Sequence, residues 1–185
     1  FYPTHSISML LSALPEGKYQ LVEVTAPDGY KKADTIVFTV DSEGNVSVAS
    51  NDNVSVASDD NATEVKMVDE PLTLSLRKTK EGEEGEEDFS GVDLKLTSTS
   101  GKNLSNVVVD ADTCNVLGRS KNEITFTTKG MQIEMSAIPA GSYCLEEVEA
   151  PVGYAKAEPI NFELFADGTV QTADGKNAVN MLNEK

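Results

Sequence analysis

The chain has 185 residues and a formal charge of -16, with 39% apolar and 25% charged residues. That balance argues against nucleic acid and anionic membranes as partners, since both need cationic patches, and no apolar run approaches membrane-spanning length. One histidine (His5) and two cysteines leave little for a His-based triad or a metal site, so neither a metal nor a cofactor is expected.

The chain opens at Phe1 without a methionine and reads as a piece of something longer. Its phrase LPEGKYQLVEVTAPDGY (Leu14–Tyr30) returns as IPAGSYCLEEVEAPVGY (Ile138–Tyr154). Ser12–Ala33 lie over Ser136–Ala157 without a gap, and the register persists to Phe38 over Phe162. Further on, VKMVDE (Val65–Glu70) matches VNMLNE (Val179–Glu184), so the repeating unit has the size of a domain. The second copy is preceded by a stretch beginning PLTLSLRK at Pro71, for which the first copy has no equivalent. The expectation is a partial domain over residues 1–70, lacking its N-terminal strands, and a complete one over 71–185. Pro71 breaks the pairing at the boundary. The open side of the partial domain is expected to pair with another chain or to be disordered near Phe1.

Within the first copy, NVSVASND at Asn45 is followed directly by NVSVASDD at Asn53, which suggests a hairpin extended by one unit. Short alternating segments recur throughout, separated by PEG, PDGY, SEGN, TSGK, PAG, PVGY, ADGT and ADGK, and no helical periodicity is sustained. This pattern predicts an all-β protein built of immunoglobulin-like sandwiches. The acidic run KEGEEGEED (Lys80–Asp88) lacks the spacing of a calcium loop and is read as a solvated loop. LPEG at Leu14 resembles a sorting signal but has Gly17 where threonine is needed. APDGY and APVGY are read as strand exits, with Tyr30 and Tyr154 folding back onto the sheet.

Side chains of a strand alternate between faces. In YCLEE the face of Tyr143 and Leu145 also carries Glu147, and Tyr19 and Leu21 likewise lead to Glu23. LTLSLRK puts Leu72, Leu74, Leu76 and Lys78 on one face, and VNMLN puts Val179, Met181 and Asn183 together. Val65 and Met67 lead to Asp69 in the first copy. Three apolar rows of the second domain therefore end in a lysine, a glutamate and an asparagine, all facing the core. They form either an inert hydrogen-bonded cluster or a reactive one. Burial disfavours both charges, so a proton can pass from the ammonium to the carboxylate. The neutral amine of Lys78 is then a nucleophile, and protonated Glu147 can polarise the Asn183 carbonyl and carry protons to departing ammonia.

The wording YxLxExxAPxGY, preceded by a PxG turn, resembles the Cna B-type (SpaA-like, prealbumin-like) domains of Gram-positive pilins and surface adhesins. LSLRKTK is similar to that family's first strand, GVDLKLTSTSG to its second and NMLNEK to its last. The resemblance implies tandem prealbumin-like sandwiches, the first one truncated. It also implies an autocatalytic isopeptide bond with Lys78 as donor, Asn183 as acceptor and Glu147 as catalytic acid. Glu23 and Asp69 match in the first copy, whose donor strand is missing; Lys80 is the fallback donor in the second. On an exported protein Cys114 and Cys144 are a candidate disulfide. The implied role is a structural stalk module at the cell surface, anchored to the cell wall, with neighbouring pilin or adhesin domains or subunits as partners. The alternative is an adhesin module binding a host glycan or matrix protein through its loops. An enzyme with an external substrate is not expected, because the polar residues face inward.

Overall fold

The computed structural model describes residue 11 and residues 13–48, 54–58, 63–83 and 85–185. Expectations about Phe1 and His5 lie outside the described residues. Among those residues there is no helix, and the chain divides into two compact units. The first comprises Phe1–Val24 and Ala33–Val68, the second Thr25–Lys32 and Asp69–Lys185.

The first unit holds a three-stranded antiparallel sheet of β1 (Gly17–Leu21), β2 (Ile36–Val40) and β3 (Val46–Val48). A separate antiparallel pair joins β4 (Val54–Ser58) to β5 (Thr63–Met67). The duplicated octad thus supplies one strand to each: β3 pairs with β2 and β4 with β5.

The second unit is a two-sheet sandwich. One sheet runs β10 (Cys114–Arg119), β11 (Glu123–Thr128), β8 (Asp93–Ser98), β13 (Gly141–Glu147), β14 (Ile160–Leu164) and β15 (Val170–Thr172). The other runs β16 (Val179–Asn183), β6 (Thr73–Glu81), β12 (Gln132–Ser136) and β9 (Val108–Val109). The short strand β7 (Glu86–Asp88) pairs with the end of β6, beyond the reach of β12. All these pairings are antiparallel except one: β16 lies parallel to β6, with Met181 opposite Lys78 and Asn183 opposite Lys80.

Alternation builds the core as the sequence predicts. Leu74 and Leu76 of β6, Leu94 and Leu96 of β8, Ile124 and Phe126 of β11 and Tyr143 and Leu145 of β13 all face inward and are buried. Burying each such side chain contributes roughly 1.5–3 kcal/mol. The repeated phrase also folds alike in both copies. Tyr19 stacks on Phe38 at 5.4 Å and Tyr143 on Phe162 at 5.6 Å. The tyrosine hydroxyls donate to Pro15 O at 2.7 Å and to Pro139 O at 2.5 Å.

Candidate functional site

Three strand ends meet inside the second unit. Along β6 the exposed Thr73, Ser75 and Arg77 alternate with buried Leu74, Leu76 and Lys78. Lys78, Glu147 and Asn183 have 0%, 1% and 0% of their surfaces exposed. Parallel pairing of β16 with β6 puts Met181 opposite Lys78, the lysine side chain reaches on to Asn183, and Glu147 at the end of β13 meets them from the opposite sheet.

The Lys78 Nζ donates to Asn183 Oδ1, to Thr79 O at 3.1 Å and to Met181 O at 3.3 Å. It also lies 3.8 Å from Glu147 Oε1, a buried oxygen with no hydrogen-bond partner. Glu147 Oε2 accepts from Asn183 Nδ2 at 3.0 Å and from Ala157 N at 2.9 Å. Asn183 Nδ2 donates further to Ala155 O at 2.6 Å. A backbone carbonyl can only accept, so Ala155 fixes the amide with its nitrogen outward and Oδ1 toward Lys78. The carboxyl of Glu147 therefore faces the amide nitrogen, where sequence reasoning put it on the carbonyl.

Burial pushes the Lys78 amine below its ordinary 10.5, and the charge of Glu147 pulls it part of the way back. Phe89 covers the amine, with Nζ 5.1 Å from the ring centroid, and Tyr154 packs on Phe89 at 4.9 Å. A nucleophile, an amide and a proton carrier are thus held together away from water. Neither Phe89 nor the Ala155 carbonyl was singled out from sequence. Phe89 follows an acidic run outside any alternating strand, and a backbone acceptor leaves no trace in residue type. Tyr154, read as folding back after the turn, does so onto Phe89.

A family model described as SpaA: Prealbumin-like fold domain matches residues 6–55 and 74–178, well over half of the chain. The chain belongs to the SpaA prealbumin-like fold family. No curated protein matches it. Among solved structures it is similar to the pilus-presented adhesin Cpa, at 28% identity over 56% of this chain and 20% of that one, TM-score 0.35. It is also similar to GBS52, the minor pilin of Streptococcus agalactiae, at 16% identity over 100% of this chain and 90% of that one, TM-score 0.41. For the shaft pilin spaA of Lactobacillus rhamnosus GG the figures are 16%, 90% and 64%, with TM-score 0.37. The chain spans 20%, 27% and 24% of the first three structures it resembles.

Other candidate residues of this SpaA-like chain fall as follows. Glu23 Oε2 accepts from Ala33 N at 2.7 Å, the counterpart of the Glu147–Ala157 bond. Glu23 is half-buried in the first unit, and Asp69 is half-buried in the second. Lys80, the fallback donor, pairs with Glu87 at 3.5 Å and lies 5.6 Å from the Phe89 centroid. The candidate disulfide is not formed: Cys114 and Cys144 are both free. They lie on β10 and β13, three strand spacings apart in one sheet. That is about 14 Å, whereas a disulfide needs Cα atoms within about 7 Å. Cys114 also belongs to the core, while Cys144 is on the half-buried outer face of β13. In the acidic run, Glu86 accepts from Asn180 at 2.8 Å and from Thr79 at 3.1 Å. Among the described residues no cluster of His, Cys, Asp or Glu is suited to hold a metal, and no helix is long and apolar enough to cross a membrane.

Proposed function

We propose that this chain is a structural stalk module of a cell-wall-anchored pilin or adhesin, tied by an amide bond between Lys78 and Asn183. Residues 71–185 form one module and residues 1–70 the C-terminal part of another, exposed at the cell surface beside neighbouring pilin or adhesin domains. The observation that carries this reading is the fully buried meeting of Lys78, Glu147 and Asn183. Surface ion pairs need no such burial, and burying two charges costs several kcal/mol each.

The chemistry balances without a cofactor. A proton leaves Nζ for Glu147 Oε1, freeing the amine lone pair. That pair attacks Asn183 Cγ, and the new carbon–nitrogen bond forms as the bond from Cγ to Nδ2 breaks. Glu147, already on Nδ2, returns that proton to it and nitrogen leaves as ammonia; the second proton of Nζ then passes to Glu147, so the new amide keeps a single N–H. Phe89 and Tyr154 exclude the water that would compete.

Intact-mass measurement tests the reading. The wild-type chain should be lighter than its sequence by one ammonia, and a branched peptide should join the Lys78 and Asn183 segments. An unreduced mass would reduce the site to a hydrogen-bonded cluster.

A pH dependence follows from the lowered amine. In Asn183→Ala the amine persists, and between its lowered folded value and 10.5 the unfolded chain holds a proton that the folded chain does not. Stability of that variant should therefore rise with pH across this window. The crosslinked wild type has no such amine to titrate. The gap in melting temperature between the two should narrow as pH rises toward 10.5. A constant gap in paired thermal scans would contradict a burial-lowered amine.

A further inference from the structure

Thr25–Lys32 lies in the first copy of the repeated phrase, yet it is part of the second unit. Tyr30 forms an antiparallel bridge with Pro71. Lys31 N donates to Glu70 O at 2.8 Å, and Leu72 N donates to Gly29 O at 2.8 Å. Asp28 pairs with Lys102 at 3.2 Å. Gly29 has φ +92, and a Cβ there would stand 2.4 Å from the carbonyl oxygen of Ala137. Only glycine fits such an approach. Ala137 is itself left-handed, with φ 54, a conformation L residues avoid.

Among the described residues, each half of this seat occurs a second time without its counterpart. Gly153, in the place of Gly29, keeps φ +88, yet among the described residues nothing lies within 4 Å of its Cβ position. Val152, in the place of Asp28, is 101% exposed. Ala155 N donates to Glu184 O at 2.8 Å, as Lys31 N does to Glu70 O. Ala13, in the place of Ala137, keeps φ 58 and is exposed. Backbone strain of this kind persists where a contact uses it.

We propose that the Pro151–Tyr154 loop is a docking seat for a further module of this same fold, continued directly from β16. That module sits on it as Asp69–Lys185 sit on Thr25–Lys32 within the second unit. Its second residue past Glu184 donates a main-chain N–H to the Gly153 carbonyl. Its left-handed alanine turn packs on Gly153, and it meets Val152 with an apolar side chain where Lys102 meets Asp28. Such a joint is head-to-tail and builds a linear array instead of a closed ring. The inference does not depend on the Lys78–Asn183 bond.

The full chain as it stands tests the seat first. Gly29→Ala and Gly153→Ala carry the same left-handed strain, so their difference reports the contact. Hydrogen exchange at the Leu72 amide should be about tenfold faster or more in Gly29→Ala and unchanged in Gly153→Ala. Asp28→Val gives the first loop the APVGY sequence of the second and should leave Leu72 protected. Loss of that protection would show that APVGY cannot seat a module, overturning the proposal. A second arm extends the full chain so that Glu184 runs into another copy of Pro71–Lys185. The appended counterpart of Leu72 should then be protected, and Gly153→Ala should speed its exchange by about tenfold. An appended module with protected core amides but no response to Gly153→Ala would also overturn it.

Discussion

Glu147→Gln should leave the chain at its full sequence mass and lower the melting temperature of the second unit by on the order of 15 °C. Glutamine keeps the volume and can still accept from Ala157 N, but it cannot take a proton from Lys78. Without the carboxylate, burial alone acts on the amine and favours its neutral form, but nothing carries protons to the departing nitrogen and Asn183 keeps it. The lost bond would have joined residues 105 positions apart. Closing a loop of about 100 residues contributes about 4.7 kcal/mol by restricting the unfolded chain. Intact mass and differential scanning calorimetry read the two effects separately. A variant lighter by one ammonia would show that Glu147 is not the proton carrier. Full mass with an unchanged melting temperature would show that the bond contributes nothing to stability.

The polar ends of the three core rows were legible because strand alternation has a period of two and the rows are short. Leu74 and Leu76 leave only one face for Lys78, and Val179 and Met181 leave only one for Asn183. The parallel pairing of β6 with β16 was not legible, since it joins segments at opposite ends of the unit and no local pattern encodes it. Amide orientation at Asn183 was hidden for a different reason. It depends on the Ala155 carbonyl, which any residue could supply. The cysteines were misleading because compatibility with a bridge is set by sheet order, and β11 and β8 stand between their strands. The octad duplication showed its alternation in sequence, but not that its two copies take different partners. Likewise APDGY read as a strand exit, and its membership of the second unit rests on a close approach at Gly29.

Lys78→Met should be the most damaging single change at the site, lowering stability by about 3 kcal/mol or more beyond Glu147→Gln. Methionine replaces the apolar stem of lysine at similar volume, so packing against Phe89 changes little. Both variants lose the crosslink. Lys78→Met also removes the ammonium 3.8 Å from Glu147 Oε1, an oxygen already without a hydrogen bond. Glu147 then keeps only the neutral donors Ala157 N and Asn183 Nδ2. Breaking a buried pair by removing one partner costs about 3–5 kcal/mol, because the other charge is left uncompensated. The double variant Lys78→Met/Glu147→Gln removes that charge and should be more stable than Lys78→Met alone, despite carrying two substitutions. Urea denaturation of the three variants, each confirmed at full mass, measures the difference free of any crosslink. Equal stability of Lys78→Met and Glu147→Gln, or no recovery in the double variant, would mean that the buried carboxylate does not depend on the lysine.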